Sequence, residues 1–225
     1  MILADPQTRE EWLECRRQGI GGSDAACIVG ENPWKSTVQL WREKTGKTIP
    51  EDIGDKPAVR FGKEAEAHIR ALFLLTYPEY SCEYHEFRMY ANACHPWLYA
   101  TLDGELTDAD GRRGILEIKT TTIQTAKQWG EWGFRREHPE DKIPQHYYIQ
   151  VLHQFLACEW AEYAELFAHI RWHKADDVRA TLRKYRIDRR SSQTQADMKW
   201  LEKRETAFWK MVQDGTEPPY LLPEI

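Results

Sequence analysis

The chain has 225 residues, 41% apolar and 30% charged, with a net charge of −5 and ten tryptophans. Its length suits one sizeable core, a single domain over residues 1–225, and its acidic balance excludes a surface that grips nucleic acid everywhere, because phosphate binding rests on Lys and Arg. "MILADPQTREEW" lacks the apolar run of a signal peptide and no run of 18 apolar residues follows, which argues against secretion and membrane spanning, while Cys15, Cys27, Cys82, Cys94 and Cys158 contain no CxxC pair and read as reduced thiols of a cytosol.

The first predicted element is a helix over Thr8–Gln18, opened by Thr8 with Glu11 three residues on, a capping-box spacing. "GIGGSDAACIVGENPWKS" then reads as a glycine-rich loop, a short helix with Ser23 or Asp24 as N-cap, and a loop broken at Asn32-Pro33. A helix is expected over Thr37–Lys44 and a polar connection over Glu51–Pro57. Val59–Tyr77 is the clearest helix, with Ala65, Ile69, Leu72 and Phe73 at helical spacing. Strands follow at Tyr84–Ala91 and Trp97–Leu106, then a hairpin turn at 108–111, "DADG", and a returning strand at Gly114–Thr120.

Gln145–Cys158 predicts an amphipathic helix, with Tyr148, Val151, Leu152 and Phe155 on one side and His146, Gln150 and His153 on a polar side. Glu162–Trp172 and Tyr185–Asp188 read as strands, Gln193–Gln213 as a closing helix, and "TEPPYLLPEI" as the segment that ends it. This order gives an α/β or α+β class, a mixed sheet flanked by helices. The run "RATLRKYRIDRR", Arg179–Arg190, fits either a solvated strand or an edge that tracks phosphates.

The stretch "LDGELTDADGRRGILEIKT" carries the chemistry. Side chains alternate along a strand, so Glu117 and Lys119 share one face while Ile118 points to the opposite, buried one, and Asp103 stands on the partner strand. Two carboxylates sharing a site repel unless a proton or cation lies between them, and hard oxygen ligands suit Mg²⁺ or Mn²⁺, with the Ile118 carbonyl as a further donor. Lys119 would orient or help deprotonate an attacking water, or neutralise charge on a phosphate. A surface hairpin with an ion pair carries the same residues. If the strand runs straight, Glu105 is a spare carboxylate on the same side.

Other patterns are weaker. "GENPWKS" lacks the second glycine of a phosphate-binding loop, and Pro33 and Trp34 would block the backbone cradle. His169 and His173 are four apart in a strand and turn rather than on a helix, so zinc is not expected, and His146 and His153 more often cap a polar face than ligate metal.

Asp103 with Glu117-Ile118-Lys119 matches the PD-(D/E)xK nuclease signature, with Leu102 where the proline would be. The ordered pieces "WLECRRQGIGGSDAA", "FGKEAEA", "LDG", "LEIKT" and "YIQVLHQF" span residues 12–155 and resemble the YqaJ-type viral recombinase family of lambda-type exonucleases. That resemblance implies a restriction-endonuclease-like fold and Mg²⁺-dependent 5′-to-3′ exonuclease activity on linear double-stranded DNA, releasing mononucleotides and leaving 3′ single strands for recombination. It implies two metal ions, with Mn²⁺ as a substitute, held by Asp103, Glu117, the Ile118 carbonyl and Glu66, and a catalytic role for Gln150. Arg16, Ser23 and Thr101 match the residues that bind the terminal 5′-phosphate. Thr125 stands where a further Arg is expected, with Lys127 nearby, which leaves that pocket incomplete. A homotrimeric ring, a single-strand annealing partner and a phage or prophage setting in bacterial cytoplasm are also implied. A site- or structure-specific endonuclease of the same superfamily and a non-catalytic DNA-binding recombination partner are the alternatives.

Overall fold

The computed structural model describes residues 1–134 and 142–220. In chain order the elements are β1 (Ile2–Ala4), α1 (Arg9–Arg17), α2 (Gly22–Ile28), α3 (Thr37–Lys44), α4 (Pro57–Thr76), β2 (Ser81–Glu83), β3 (Met89–Ala91), β4 (Tyr99–Ala100), β5 (Gly104–Thr107), β6 (Arg113–Ile123), α5 (Ala126–Glu131), α6 (Gln145–Ala157), β7 (Tyr163–Lys174), β8 (Asp177–Asp188) and α7 (Ser192–Asp214). The main sheet has the order β2-β5-β6-β7-β8, with β6 and β7 parallel and the other neighbours antiparallel, and β1-β3-β4 form a small antiparallel sheet.

Period-two alternation on β6 sorts its side chains onto two cores. Leu116 and Ile118 join Ile69 and Phe73 of α4 with Leu106 and Phe167. On the other face Ile115 joins Leu152 and Phe155 of α6 with Ala164 and Leu166, and α7 packs behind. Each fully buried large side chain of this kind contributes roughly 1.5–3 kcal/mol, so the two helices clamp β6 from both sides.

Several sequence expectations change. α2 is capped at Gly21, not at Ser23 or Asp24; Asp24 lies in the first turn and its Oδ2 accepts the Gly21 N–H at 3.1 Å. Leu72 is 39% exposed, on the solvent side of α4. The two strands expected between Tyr84 and Leu106 are broken. Leu98 bridges to Ile20, Tyr99 and Ala100 pair with β3, and the chain bends at Asp103 before β5 begins. The short strands β1 and β2 and helix α5 have no counterpart in the sequence reading, and β6 continues to Ile123.

The second hairpin turns at Ala175 and Asp176, and β8 starts at Asp177 rather than Tyr185. As the outer strand, β8 needs no apolar alternation on its solvated half, so its polar first half masks its extent. The polar side expected of α6 turns inward: His153 is buried and His146 and Gln150 are half-buried. α7 closes with Gly215 in the left-handed conformation, φ 70°, where glycine has no Cβ penalty. Of the proline-rich segment after it, residues 221–225 lie outside the described residues.

Candidate active site

The bend at Asp103 gives the site its geometry. β5 leaves the ladder there, and Asp103 Oδ2 accepts the Ile118 N–H at 2.7 Å, a donor that a continuing ladder would have satisfied with a carbonyl. The carboxylate is thereby fixed beside the strand segment that carries Glu117 and Lys119.

Glu117 is 2% exposed, and a buried carboxylate persists only when its oxygens are bonded. Its Oε1 lies 2.6 Å from Lys119 Nζ and accepts from Gln150 Nε2 at 2.6 Å, and its Oε2 accepts from Gln154 Nε2 at 2.5 Å. Gln150 Oε1 accepts from Lys119 Nζ at 2.9 Å, so one carboxamide holds both members of the ion pair. The Lys119 ammonium also lies 4.9 Å from the centre of the Tyr147 ring. Gly22 of α2 packs against this arrangement: a Cβ there would stand 3.2 Å from Gln150 Cγ.

From the other face of the sheet, Arg70 of α4 joins the helix acid to the bend. Its Nε donates to the Asp103 carbonyl at 2.6 Å, its Nη2 to Glu66 Oε1 at 2.5 Å, and its guanidinium lies 3.5 Å from the centre of the Tyr84 ring. The sequence reading missed Arg70 and Gln154. Both carried a signal, since each lies four residues after a candidate, Glu66 and Gln150, on the same helix face.

Negative charge is in excess here. Burial, then the charges of Glu117 and Glu66, push the Asp103 carboxyl well above its ordinary value, with Lys119 and the Ile118 N–H opposing. Burial also raises Glu66; Arg70 opposes and Glu117 adds to the rise. Burial pulls Lys119 down, but the charges of Glu117 and Asp103 outweigh it, and the ammonium is held above its ordinary value.

Crowded carboxylates of raised pKa are what a divalent cation would relieve. The donor set fits Mg²⁺, which takes hard oxygens, commonly one or two carboxylates, and keeps several waters: Asp103, Glu117 and the Ile118 carbonyl. Among the described residues no three His, Cys, Asp or Glu side chains stand close enough to hold an ion, and Glu66 is bonded to Arg70, so the third acid would have to leave that pair to contribute.

At the front of the site, Arg16 Nη2 donates to Ser23 Oγ at 3.0 Å. The Arg16 carbonyl is held by Lys44 Nζ at 3.1 Å and by the Tyr99 hydroxyl at 2.8 Å, and Lys44 Nζ pairs with Asp24 Oδ2 at 2.8 Å. Thr101 stands half-buried after β4, and among the described residues no hydrogen bond joins it to Arg16 or Ser23. Thr125 caps α5, and Lys127 sits 3.7 Å from Glu131.

Two further readings gain their partners. Glu105 is not a spare carboxylate, because it accepts from the Tyr90 hydroxyl and from Arg113 at 3.0 Å. The basic run is partly tied into the fold, while Arg179, Arg186 and Arg190 stay exposed. Arg183 donates to the Trp132 carbonyl, Lys184 stacks on Tyr77, Arg186 pairs with Glu165, Arg189 donates to three carbonyls, and Arg179 and Arg190 pair with Asp177 and Glu162.

Comparisons with known proteins bear on the family and the fold. The model of the YqaJ-like viral recombinase domain matches residues 11–161. The uncharacterized protein YqaJ of Bacillus subtilis (strain 168) is 31% identical over 173 residues, an alignment that covers 71% of this chain and 45% of YqaJ, so the chain spans about half the length of that relative. The crystal structure of an alkaline exonuclease (LHK-Exo) from Laribacter hongkongensis superposes with a TM-score of 0.62 at 18% identity, covering 92% of this chain and 94% of that one, and it shows a restriction-endonuclease-like fold here. No helix among the described residues is long and apolar enough to cross a membrane. With Asp103, Glu117 and Lys119 inside the matched region, the chain belongs to the YqaJ-like viral recombinase family.

Proposed function

We propose that the chain, acting as a single domain, is a Mg²⁺-dependent deoxyribonuclease that degrades one strand of linear duplex DNA from its 5′ end, releases mononucleotides and leaves a 3′ single strand for recombination. The observation that carries this reading is the Gln150 carboxamide holding Lys119 and Glu117 together beside Asp103. A surface hairpin with an ion pair needs no such buried clamp.

Asp103, Glu117 and the Ile118 carbonyl would hold Mg²⁺, with Glu66 reaching a second ion and Mn²⁺ as a substitute; bound there, the metal supplies Lewis-acid charge stabilisation and a water of lowered pKa. The chain's own groups do the rest. Lys119, held by Glu117 and Gln150, is placed to orient the attacking water and help deprotonate it, or to neutralise the charge that develops on the phosphate. Gln150 and Gln154 hold the Glu117 oxygens in place, and Arg16 with Ser23 offers a guanidinium and a hydroxyl to a terminal phosphate. A homotrimeric ring around DNA, a single-strand annealing protein as partner, and a phage or prophage protein working in a bacterial cytoplasm complete the proposal. Threading of DNA through a ring would give processivity without a basic surface, in keeping with the net charge of −5.

Digestion of linear duplex with a 5′-phosphate, with a 5′-hydroxyl, and of closed circular DNA in Mg²⁺, comparing wild type with Asp103→Asn, tests this. The expected result is decay of the linear substrates, faster with the 5′-phosphate, an intact circle and an inactive variant. Cleavage of the circle, or full activity of Asp103→Asn, would overturn it.

A further inference from the structure

Trp34, in the loop between α2 and α3, is 74% exposed, yet its backbone is firmly held. Asn32 Oδ1 accepts the N–H groups of Trp34 at 2.8 Å and Lys35 at 2.9 Å, Pro33 restricts the chain between them, and Lys35 Nζ is anchored 2.5 Å from Glu43. A single exposed aromatic is ordinary. This one is the outer end of a row of rings. Its indole meets His146 edge to face at 5.3 Å, His146 lies 4.1 Å from Tyr147, and the Tyr147 ring centre lies 4.9 Å from Lys119 Nζ.

Those three steps end within about four base steps of Lys119, taking roughly 3.4 Å per nucleotide of a DNA strand. The row is uncharged at neutral pH: burial, and then the Lys119 charge, pull His146 down to about 4. An uncharged row of rings offers no positive charge to a phosphate but suits the flat face of a base, whichever base it is. The indole also walls a cavity of about 240 Å³ with Gly30, Asn32, Ser36, Tyr220 and the Lys35 that pairs with Glu43, so there is room beside it for a flat group.

We propose that Trp34 is a stacking platform for an unpaired nucleobase, a few nucleotides from the phosphate being cut, at the end of the duplex. The inference rests on the nuclease reading above. A base held on the indole cannot re-pair with its complement, so the ring keeps the duplex end open while one strand reaches Lys119. The fixed loop backbone means that no ordering of the main chain opposes the stacking.

The test places 2-aminopurine at each of the first few positions of either strand of a blunt duplex, with Ca²⁺ replacing Mg²⁺ so that the strand stays whole. Fluorescence and Kd are compared for wild type, Trp34→Ala and Trp34→Phe. Wild type and Trp34→Phe should quench one position, and Trp34→Ala should lose that quenching with a rise in Kd of roughly 10-fold. Equal quenching and Kd in Trp34→Ala, while wild type still cuts linear DNA in Mg²⁺, would overturn the stacking role alone and leave Trp34 to a protein partner. A wild-type chain that cuts no DNA would overturn the nuclease reading and the stacking role with it.

Discussion

His153 Nδ1 lies 2.6 Å from Glu205 Oε1 with both side chains fully buried, tying α6 to α7 one helical turn from Gln150. The other ring nitrogen, Nε2, lies 2.8 Å from the Tyr99 carbonyl oxygen. The Tyr99 carbonyl accepts the N–H of Nε2, and below the raised His153 pKa Nδ1 carries the second proton toward Glu205, which makes the ring an imidazolium.

Burial lowers the His153 pKa, but the Glu205 charge and hydrogen bond and the Tyr99 carbonyl outweigh it and raise it above the ordinary 6.5. A pKa raised in the folded state gives stability that is fully present below the unfolded value of about 6.5 and is lost as pH climbs through the folded value. Glu205→Gln should therefore cost about 3 kcal/mol near pH 6, and the gap to wild type should narrow at higher pH. Urea unfolding of both proteins at the two pH values measures this; a gap that widens with pH would refute the imidazolium.

Asp24 titrates in the opposite sense. Burial raises it, but Lys44, Arg16 and the Gly21 N–H together hold it at about 2 instead of 3.8. Its contribution is present above about 4 and is lost as pH falls toward 2. The shift corresponds to about 2 kcal/mol. Asp24→Asn should lower stability by that amount at neutral pH and show little difference from wild type near pH 2, as read by denaturant unfolding. Because Lys44 also holds the Arg16 carbonyl, the variant should weaken preference for a 5′-phosphate end.

The motif Asp103, Glu117, Ile118 and Lys119 was legible because strand alternation is a local property, and Ile118 lies in the α4 core as that alternation requires. The clamp on Glu117 was not. Gln150 reads from periodicity only as part of a polar helix face and Gln154 draws no notice, because the Glu117 carboxylate that turns both inward lies 33 and 37 residues away. The basic run is ambiguous for the same reason: Arg183 and Arg189 end on backbone carbonyls, which no residue type announces. Two- and three-residue strands such as β4 exist only through their partners, here β3 and the Ile20 bridge.

Gln150→Glu probes the clamp. A carboxylate still accepts from Lys119 but cannot donate to Glu117, and places two like charges where one hydrogen bond stood. The rate on linear duplex should fall on the order of 100-fold, the loss expected when a catalytic group is misplaced, whereas Gln154→Glu should weaken folding as well, because Gln154 is 1% exposed. Single-turnover kinetics with thermal unfolding separates the two; an active Gln150→Glu protein would show that the carboxamide orients nothing.

Salt dependence distinguishes the Arg16 pocket from the basic run. Each Lys or Arg that neutralises a phosphate steepens the fall of log K with log salt by about one unit. Arg16 is half-buried and bonded to the exposed hydroxyl of Ser23, so a phosphate can replace that weak partner. Arg179 and Arg190 already face the carboxylates of Asp177 and Glu162 at 3.2 and 2.8 Å. Arg16→Ala should therefore reduce the slope by about one and abolish preference for a 5′-phosphate end, while the Arg179→Ala, Arg190→Ala double variant should leave both unchanged. Titrations of a labelled duplex end over a range of salt in Ca²⁺ measure the slopes; a flatter slope in the double variant would return the β8 edge to the DNA-binding surface.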